Sequence, residues 1–409
     1  MGKYTGIDFP TELIQEGSVD VLVPELGAFV NTPSEYAPSK APVFFNPVME
    51  LNRDIAVLVL QVYQKSVDRE ISVCEPLAGC GIRGLRFAKE VEGVRKVLVN
   101  DINVKACKLA DYNVNMNRLS NVITVENMDA NFLLCSHGAP RRRFDAIDID
   151  PFGSPSSYID SGIRALRNEG LLALTATDMA PLCGIHPKAC IRKYGGTPLH
   201  TEYCHELAVR LLVGSLVKSA AKYDMGMEII LSHSTDHYIR VYAIGKYGAS
   251  KADGTMREMG YILHCFRCLH REQVRGLFPT EFPLECGECG DRLYSAGPLW
   301  LGKLSNAQLC SLLEKEVEQR QLNHKGKIHR ILRLIGNEAS APITYYVLDR
   351  ISSKLDLPVP SNKQVVETLQ KRGFSAFLTH FDSKGIKTDA SSKDVHKVIS
   401  DIHGVTSFK

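Results

Sequence analysis

No stretch of this 409-residue chain is apolar for long enough to span a membrane. The longest strongly apolar run, Ile55 to Val62, falls far short of the roughly 20 residues that a spanning helix needs. The opening residues, Met1-Gly2-Lys3-Tyr4-Thr5-Gly6-Ile7-Asp8, lack the apolar core of an export signal. Long low-complexity tracts are missing as well, and apolar and charged fractions are those of an ordinary globular protein. An excess of either charge sign is lacking, 49 Lys/Arg against 46 Asp/Glu giving a net +3. These absences argue against a membrane or exported protein and leave a cytoplasmic one. Cysteine is not scarce: twelve thiols without an export signal point to a reducing compartment and to free thiols or metal.

The length allows two or three domains, each with its own core. The charge is uneven, with 17 Lys/Arg against 11 Asp/Glu from Leu301 to Lys409. Its densest basic stretch is Gln319 to Arg333. A polyanion partner is compatible with this, and so is a solvated basic helix.

Along the chain, residues 1–70 read as an extended arm that leads, after Phe44-Phe45-Asn46-Pro47, into a helix over Val48 to Val67. From Ile71 the pattern alternates. Strands are expected at Ile71–Leu77, Lys96–Val99, Val122–Glu126, Phe144–Asp150, Leu171–Thr177 and Glu228–Ser234, with an edge strand at His237–Lys246. Helices are expected at Gly84–Glu92, Val104–Asn117 and Cys204–Tyr223. Repeated strand–helix units predict a doubly wound, mostly parallel α/β sheet. The expected divisions are an arm and helix (1–70), the sheet domain (71–250), a cysteine module (251–300) and a smaller α+β C-terminal domain (301–409).

Gly79-Cys80-Gly81-Ile82-Arg83-Gly84 matches G-x-G-x-x-G between an expected strand and helix. Its glycines, Gly79 and Gly81 foremost, permit a tight turn and close approach of a ligand to the backbone. Asp101, 17 residues after Gly84, stands where an acid meets a ribose hydroxyl pair. Asp129 could accept from an adenine amine and the Ala130 N–H could donate to the ring, although Asp129 could equally cap a loop. This much fits either a dinucleotide or S-adenosylmethionine.

Asp150-Pro151-Phe152-Gly153 tips the balance. The carboxylate and the Pro151 carbonyl can each accept from an amine, and the Phe152 ring can stack on a flat base. A strand-ending turn is the plain alternative. A methyl donor needs such an acceptor-orienting group, whereas a hydride-transfer enzyme does not.

Cys265-Phe266-Arg267-Cys268 and Cys286-Gly287-Glu288-Cys289 form C-x2-C-x17-C-x2-C, a spacing that can present four thiolates to a structural zinc ion. Cys183 and Cys190 flank His186, which could suggest a nucleophile but reads better as a small-residue loop.

With these residues assembled, the chain resembles the tRNA (guanine-26-N2) dimethyltransferase family. The match is carried by Val43–Pro47, Asn52-Arg53-Asp54, Gly81-Ile82-Arg83-Gly84, Asp150–Pro155, Thr175–Gly184, Asp236-His237-Tyr238 and Thr379–Thr388. The resemblance implies a class I (Rossmann-like) methyltransferase sheet with a zinc-knuckle insertion, S-adenosylmethionine as donor, and a C-terminal domain that helps hold tRNA. It implies that Asp150 is the catalytic carboxylate and that Phe44 and Phe152 flank a flipped guanine. Arg53, Arg83, Asp101, Asp129 and Ala130 are implied to contact the cofactor. No obligate protein partner is evident. The rival readings are an amino-group methyltransferase acting on DNA adenine or an amide, a non-enzymatic zinc RNA-binding protein, and an NAD-dependent dehydrogenase.

Overall fold

A computed structural model describes residues 6–30 and 38–405. The expectation of a leader-free N-terminus rests partly on residues 1–5, which lie outside the described residues, as do residues 31–37 of the arm. The chain forms two compact units: Met1–Pro151 with Tyr158–Leu174 and Leu312–His329, and Phe152–Ser157 with Thr175–Ser311 and Arg330–Lys409.

The first unit opens with an antiparallel hairpin, β1 (Thr11–Glu16) and β2 (Val19–Pro24). Gly17 makes its turn at φ 55, and Val19, Val21, Leu22 and Val23 are buried. Asn113, on a helix introduced below, pairs with both backbone groups of Leu22 at 2.8 and 3.0 Å. A segment that reads only as extended thus becomes paired strand.

A short turn at Pro47–Met49, capped by the Asn46 side chain on the Val48 N–H at 3.0 Å, starts α1 (Glu50–Val67). This helix is buried on all sides from Leu51 to Tyr63, as its continuous apolar run Ile55 to Leu60 requires. Then follow β3 (Ile71–Glu75), α2 (Ile82–Glu90), β4 (Val94–Asn100), α3 (Val104–Met116), β5 (Ile123–Glu126), α4 (Ala130–Ser136), β6 (Phe144–Ile149), α5 (Ile159–Ala165) and β7 (Leu166–Ala176). The pairings β3 with β4, β3 with β6, β4 with β5 and β6 with β7 are all parallel. The β7 strand begins five residues earlier than its apolar run suggests, because polar Arg167-Asn168-Glu169 join it at its exposed end.

The second unit contains α6 (Met179–Leu182), α7 (Pro187–Tyr194), α8 (Cys204–Ala221), β8 (Met225–Thr235), β9 (Tyr238–Tyr247) and α9 (Ala249–Met256). Strands β8 and β9 pair antiparallel, turning at Asp236 with φ 52. The seven-stranded order is β5-β4-β3-β6-β7-β9-β8.

Three further strands, β10 (Met259–His264), β11 (Arg271–Arg275) and β12 (Tyr294–Trp300), form a sheet of order β11-β10-β12 that carries the cysteine pairs. After α10 (Ala307–Glu318) and α11 (Lys325–Asn337), the chain ends in a small α+β layer. It consists of β13 (Tyr346–Val347), α12 (Leu348–Leu355), α13 (Asn362–Lys371), β14 (Ala376–Leu378), β15 (Gly385–Thr388) and α14 (Ser392–Ile402). Its core includes Leu348, Ile351, Val365, Leu369, Ile386, Val395 and Ile399, and takes in Leu269 from the cysteine module.

Candidate active site

The glycine turn lies between β3 and α2, where the carboxyl ends of parallel strands leave room for a ligand. Its backbone is crowded for a reason. A Cβ on Gly79, which sits at φ 56, would stand 2.8 Å from the Phe44 carbonyl oxygen. One on Gly84 would meet Val99 Cγ2 at 2.5 Å. The arm and the neighbouring strand therefore close on the turn from two sides.

Side chains fasten the strand ends to one another. Asp101, at the end of β4, accepts from the Gly79 N–H with Oδ2 and from the Asn103 N–H with Oδ1, both at 2.9 Å. Asn100, 1% exposed, donates to the carbonyls of Pro76 and Met128 and accepts from the Met128 N–H. Asp129 is the cap of α4, accepting from the Phe132 N–H at 3.0 Å. The capping alternative is thus realised, and Ala130 is buried beside it as the first helical residue. An acid beside a tight backbone turn, with polar groups at the next strand end, suits an adenosine-bearing cofactor.

Asp150 follows β6 and is partly buried. Its Oδ2 accepts from Arg83 Nη2 in a close ion pair. Arg83, in the first turn of α2 and 3% exposed, also donates from Nη1 to Asn52 Oδ1 at 2.8 Å. Glu75 and Asp148 lie 3.6 Å from the same guanidinium. Burial pushes Glu75 up to about 8, Arg83 pulling the other way and Asp148 adding to the rise. Glu75 Oε2 further accepts from the Gly84 N–H at 2.9 Å, so it braces the glycine turn from below.

Arg53 is 5% exposed and held by Glu16 of β1 through Nε and Nη2 at 2.7 and 2.5 Å. Fully buried Arg86 bridges Glu16, Asp54 and Glu90. The Phe44 ring is 41% exposed. Pro151 is buried and ends the first segment of the first unit. Phe152 opens the second with its ring 77% exposed. Gly153 is tied to Thr177 by a pair of bonds at 2.9 Å, and Ser154 reaches the Tyr194 hydroxyl at 2.7 Å.

The structure therefore groups Asp150 with Arg83, and Asp101 with Gly79, and pairs Arg53 with Glu16, which Arg86 shares. Sequence reading missed Glu75, Asn52, Asn100 and Glu16. Only the position of Glu75 at the end of a strand before a glycine turn could have drawn notice.

In the cysteine module, Sγ of Cys265 lies 3.5 Å from that of Cys289, and Cys268 lies 3.5 Å from Cys286. All four sulfurs fall within 4.8 Å of one another. A tetrahedron with Zn–S of about 2.3 Å has edges of roughly 3.8 Å, so the donor set fits such an ion. The two knuckles are built alike. The Cys265 and Cys286 N–H groups donate to His270 and Asp291, while Leu269 and Gly290 return bonds to the two cysteine carbonyls. Both turns need positive φ, 65° at Leu269 and 71° at Gly290.

A second thiol group is new. Cys183 converges with Cys204 and His205, not with Cys190 and His186, within 4.8 Å. Sequence distance hid it.

A parallel sheet that ends in the antiparallel pair β9 and β8, with a glycine turn after β3 and an acid after β4, defines a class I S-adenosylmethionine-dependent methyltransferase fold. Comparisons narrow the class. Residues 17–400 match the model of the N2,N2-dimethylguanosine tRNA methyltransferase family. The chain is 41% identical over 392 residues to a tRNA (guanine(26)-N(2))-dimethyltransferase of Methanobrevibacter smithii, covering 96% of this chain and 98% of that protein. It is 35% identical to a tRNA (guanine(26)-N(2)/guanine(27)-N(2))-dimethyltransferase of Aquifex aeolicus, covering 96% of each. Among solved structures it resembles Trm1 from Pyrococcus horikoshii in complex with S-adenosyl-L-methionine. The TM-score is 0.83 at 34% identity, over 95% of this chain and 99% of that one. The chain belongs to the N2,N2-dimethylguanosine tRNA methyltransferase family. Among the described residues, no helix is long and apolar enough to cross a membrane.

Proposed function

We propose that this protein transfers methyl groups from S-adenosylmethionine to the exocyclic N2 amine of guanine 26 in tRNA, giving N2,N2-dimethylguanosine. The match to the family along residues 17–400 carries the reading, and the Asp150 and glycine-turn geometry agrees with it. Bound S-adenosylmethionine supplies an electrophilic methyl group on a sulfonium. Gly79, Gly81 and Asp101 would hold it, with Arg53, Arg83, Asp129 and Ala130 as further contacts.

Guanine N2 is a poor nucleophile because its lone pair is delocalised into the ring. Asp150 and the Pro151 carbonyl would accept from its two N–H groups and favour a more pyramidal nitrogen. Positioning and charge complementarity of this kind contribute orders of magnitude in rate. A stacked guanine must be extruded, at a cost of a few kcal/mol. The exposed rings of Phe44 and Phe152 offer stacking faces, each worth about 1–3 kcal/mol.

Zinc on Cys265, Cys268, Cys286 and Cys289 is structural in this reading, all four positions being filled by thiolate. Residues 301–409 help bind tRNA, and the work is cytoplasmic.

Incubation with an unmodified tRNA transcript and labelled donor, followed by mass-spectrometric mapping, tests the proposal. Label at N2 of guanine 26 supports it, label at guanine 27 as well would widen it, and no label in tRNA rejects it.

A further inference from the structure

The arginine that grips Asp150 is itself held on every edge. A guanidinium offers five N–H donors in one rigid plane, so fixing several of them fixes the whole group. Arg83 meets Asp150 at Nη2, Asn52 and Asp148 at Nη1, and Glu75 at Nε. Asn52 is fully buried, and its Nδ2 has no hydrogen-bond partner among the described residues. Leaving a buried donor unpaired is costly, so stability alone does not explain an amide at this position. The amide is kept where its other end, Oδ1, holds Arg83.

We infer that Arg83, braced by Asn52, is a positioning residue that fixes Asp150 as an acceptor, so that Asp150 aims the guanine amine. The inference deepens the guanine-N2 reading and rests on it. With Oδ2 committed to Arg83, Oδ1 is left for the amine. The pair also spares the amine a search among rotamers of Asp150.

The step needs no base at the moment of bond formation. The N2 lone pair forms the new C–N bond while the C–S electron pair leaves with sulfur. The nitrogen then carries a positive charge, stabilised by the Asp150 carboxylate, until one N–H proton passes to water. The partial exposure of Asp150 leaves a path for that proton.

Steady-state kinetics of the full-length protein on unmodified tRNA, with calorimetric titration of S-adenosylmethionine, test this in two variants. Asn52→Leu removes the brace at similar volume. It should lower kcat about 10- to 100-fold while KM for tRNA and cofactor affinity stay within about threefold. Arg83→Lys keeps the charge but loses the fork, and should lower kcat by a similar factor. Unchanged kcat in both variants overturns the inference, and so does a rise in KM for tRNA with kcat unchanged. So does a loss confined to cofactor affinity, which would assign Arg83 to the cofactor alone. Wild-type protein that methylates other RNA positions but not guanine N2 would instead reject the reading beneath it.

Discussion

In the proposed reaction, Asp150 is the residue on which the chemistry turns. Asp150→Ala should lower kcat at least about 100-fold while tRNA affinity, measured by filter binding, stays within about twofold. Near-normal turnover would remove Asp150 from the mechanism. Glu75 gives a prediction of opposite character. Burial raises it from 4.5 to about 8, so between those values the folded state binds a proton that the unfolded state has released. Stability from this group is therefore highest below about pH 4.5 and declines as pH rises to about 8. Glu75→Gln should flatten that decline in melting temperatures recorded from pH 5 to 9, and an unaltered slope would contradict it. Asp150, Asp101 and the glycines were readable as individual residues because each stands in a short local motif. Asn52, Glu75 and Glu16 were not, since their importance comes from contact with arginines 31, 8 and 37 positions away along the chain.

The paired knuckles are the clearest case at the level of elements. The core of the module includes little beyond Leu263, Cys265, Cys286 and Leu293, with Phe282 and Val274 partly buried against them. So small a core needs a further tie, and four convergent thiolates provide one when metal is bound. Chelation should lower the melting temperature measured by calorimetry before it lowers turnover at permissive temperature. A chelated protein with unchanged melting would deny the module a structural metal. Leu269 packs in the C-terminal core, Lys354 donates to the carbonyls of Phe266 and Arg267, and Ser392 donates to Glu288. Loss of metal should therefore also speed hydrogen exchange in α12 and α14. The sequence yielded the seven strands and helices α1, α2, α3 and α8 to within about five residues, because their apolar periods differ, but not the short helices α4 and α5. It did not yield the β1–β2 hairpin, whose register is set by Gly17 and by Asn113 of a distant helix.

Acid stability reports on the folded molecule as a whole. Burial alone would raise Glu206, but Lys387 and Arg210 outweigh it and hold the carboxyl down to about 2. The stability it contributes is fully present above about pH 4.5 and lost as pH falls toward 2, where the folded state must take up the proton. Glu206→Gln should be less stable than wild type at neutral pH, and the difference should shrink through that window in acid-unfolding titrations. A difference that stays constant with pH would show that the loss is packing and not charge. This partnership joins α8 to β15, which are 181 positions apart in sequence, and no pattern of spacing announces it. By itself the sequence determined the class of fold and marked the glycine turn, the Asp150 tetrapeptide and the four-cysteine spacing as candidates, since each depends on neighbours within a few residues or on a fixed spacing. Only the tertiary structure decided which arginine grips Asp150, which acid props the glycine turn and which thiols meet outside the knuckles. Those pairings depend on strand ends brought together by the parallel sheet and on buried charges that each need a partner.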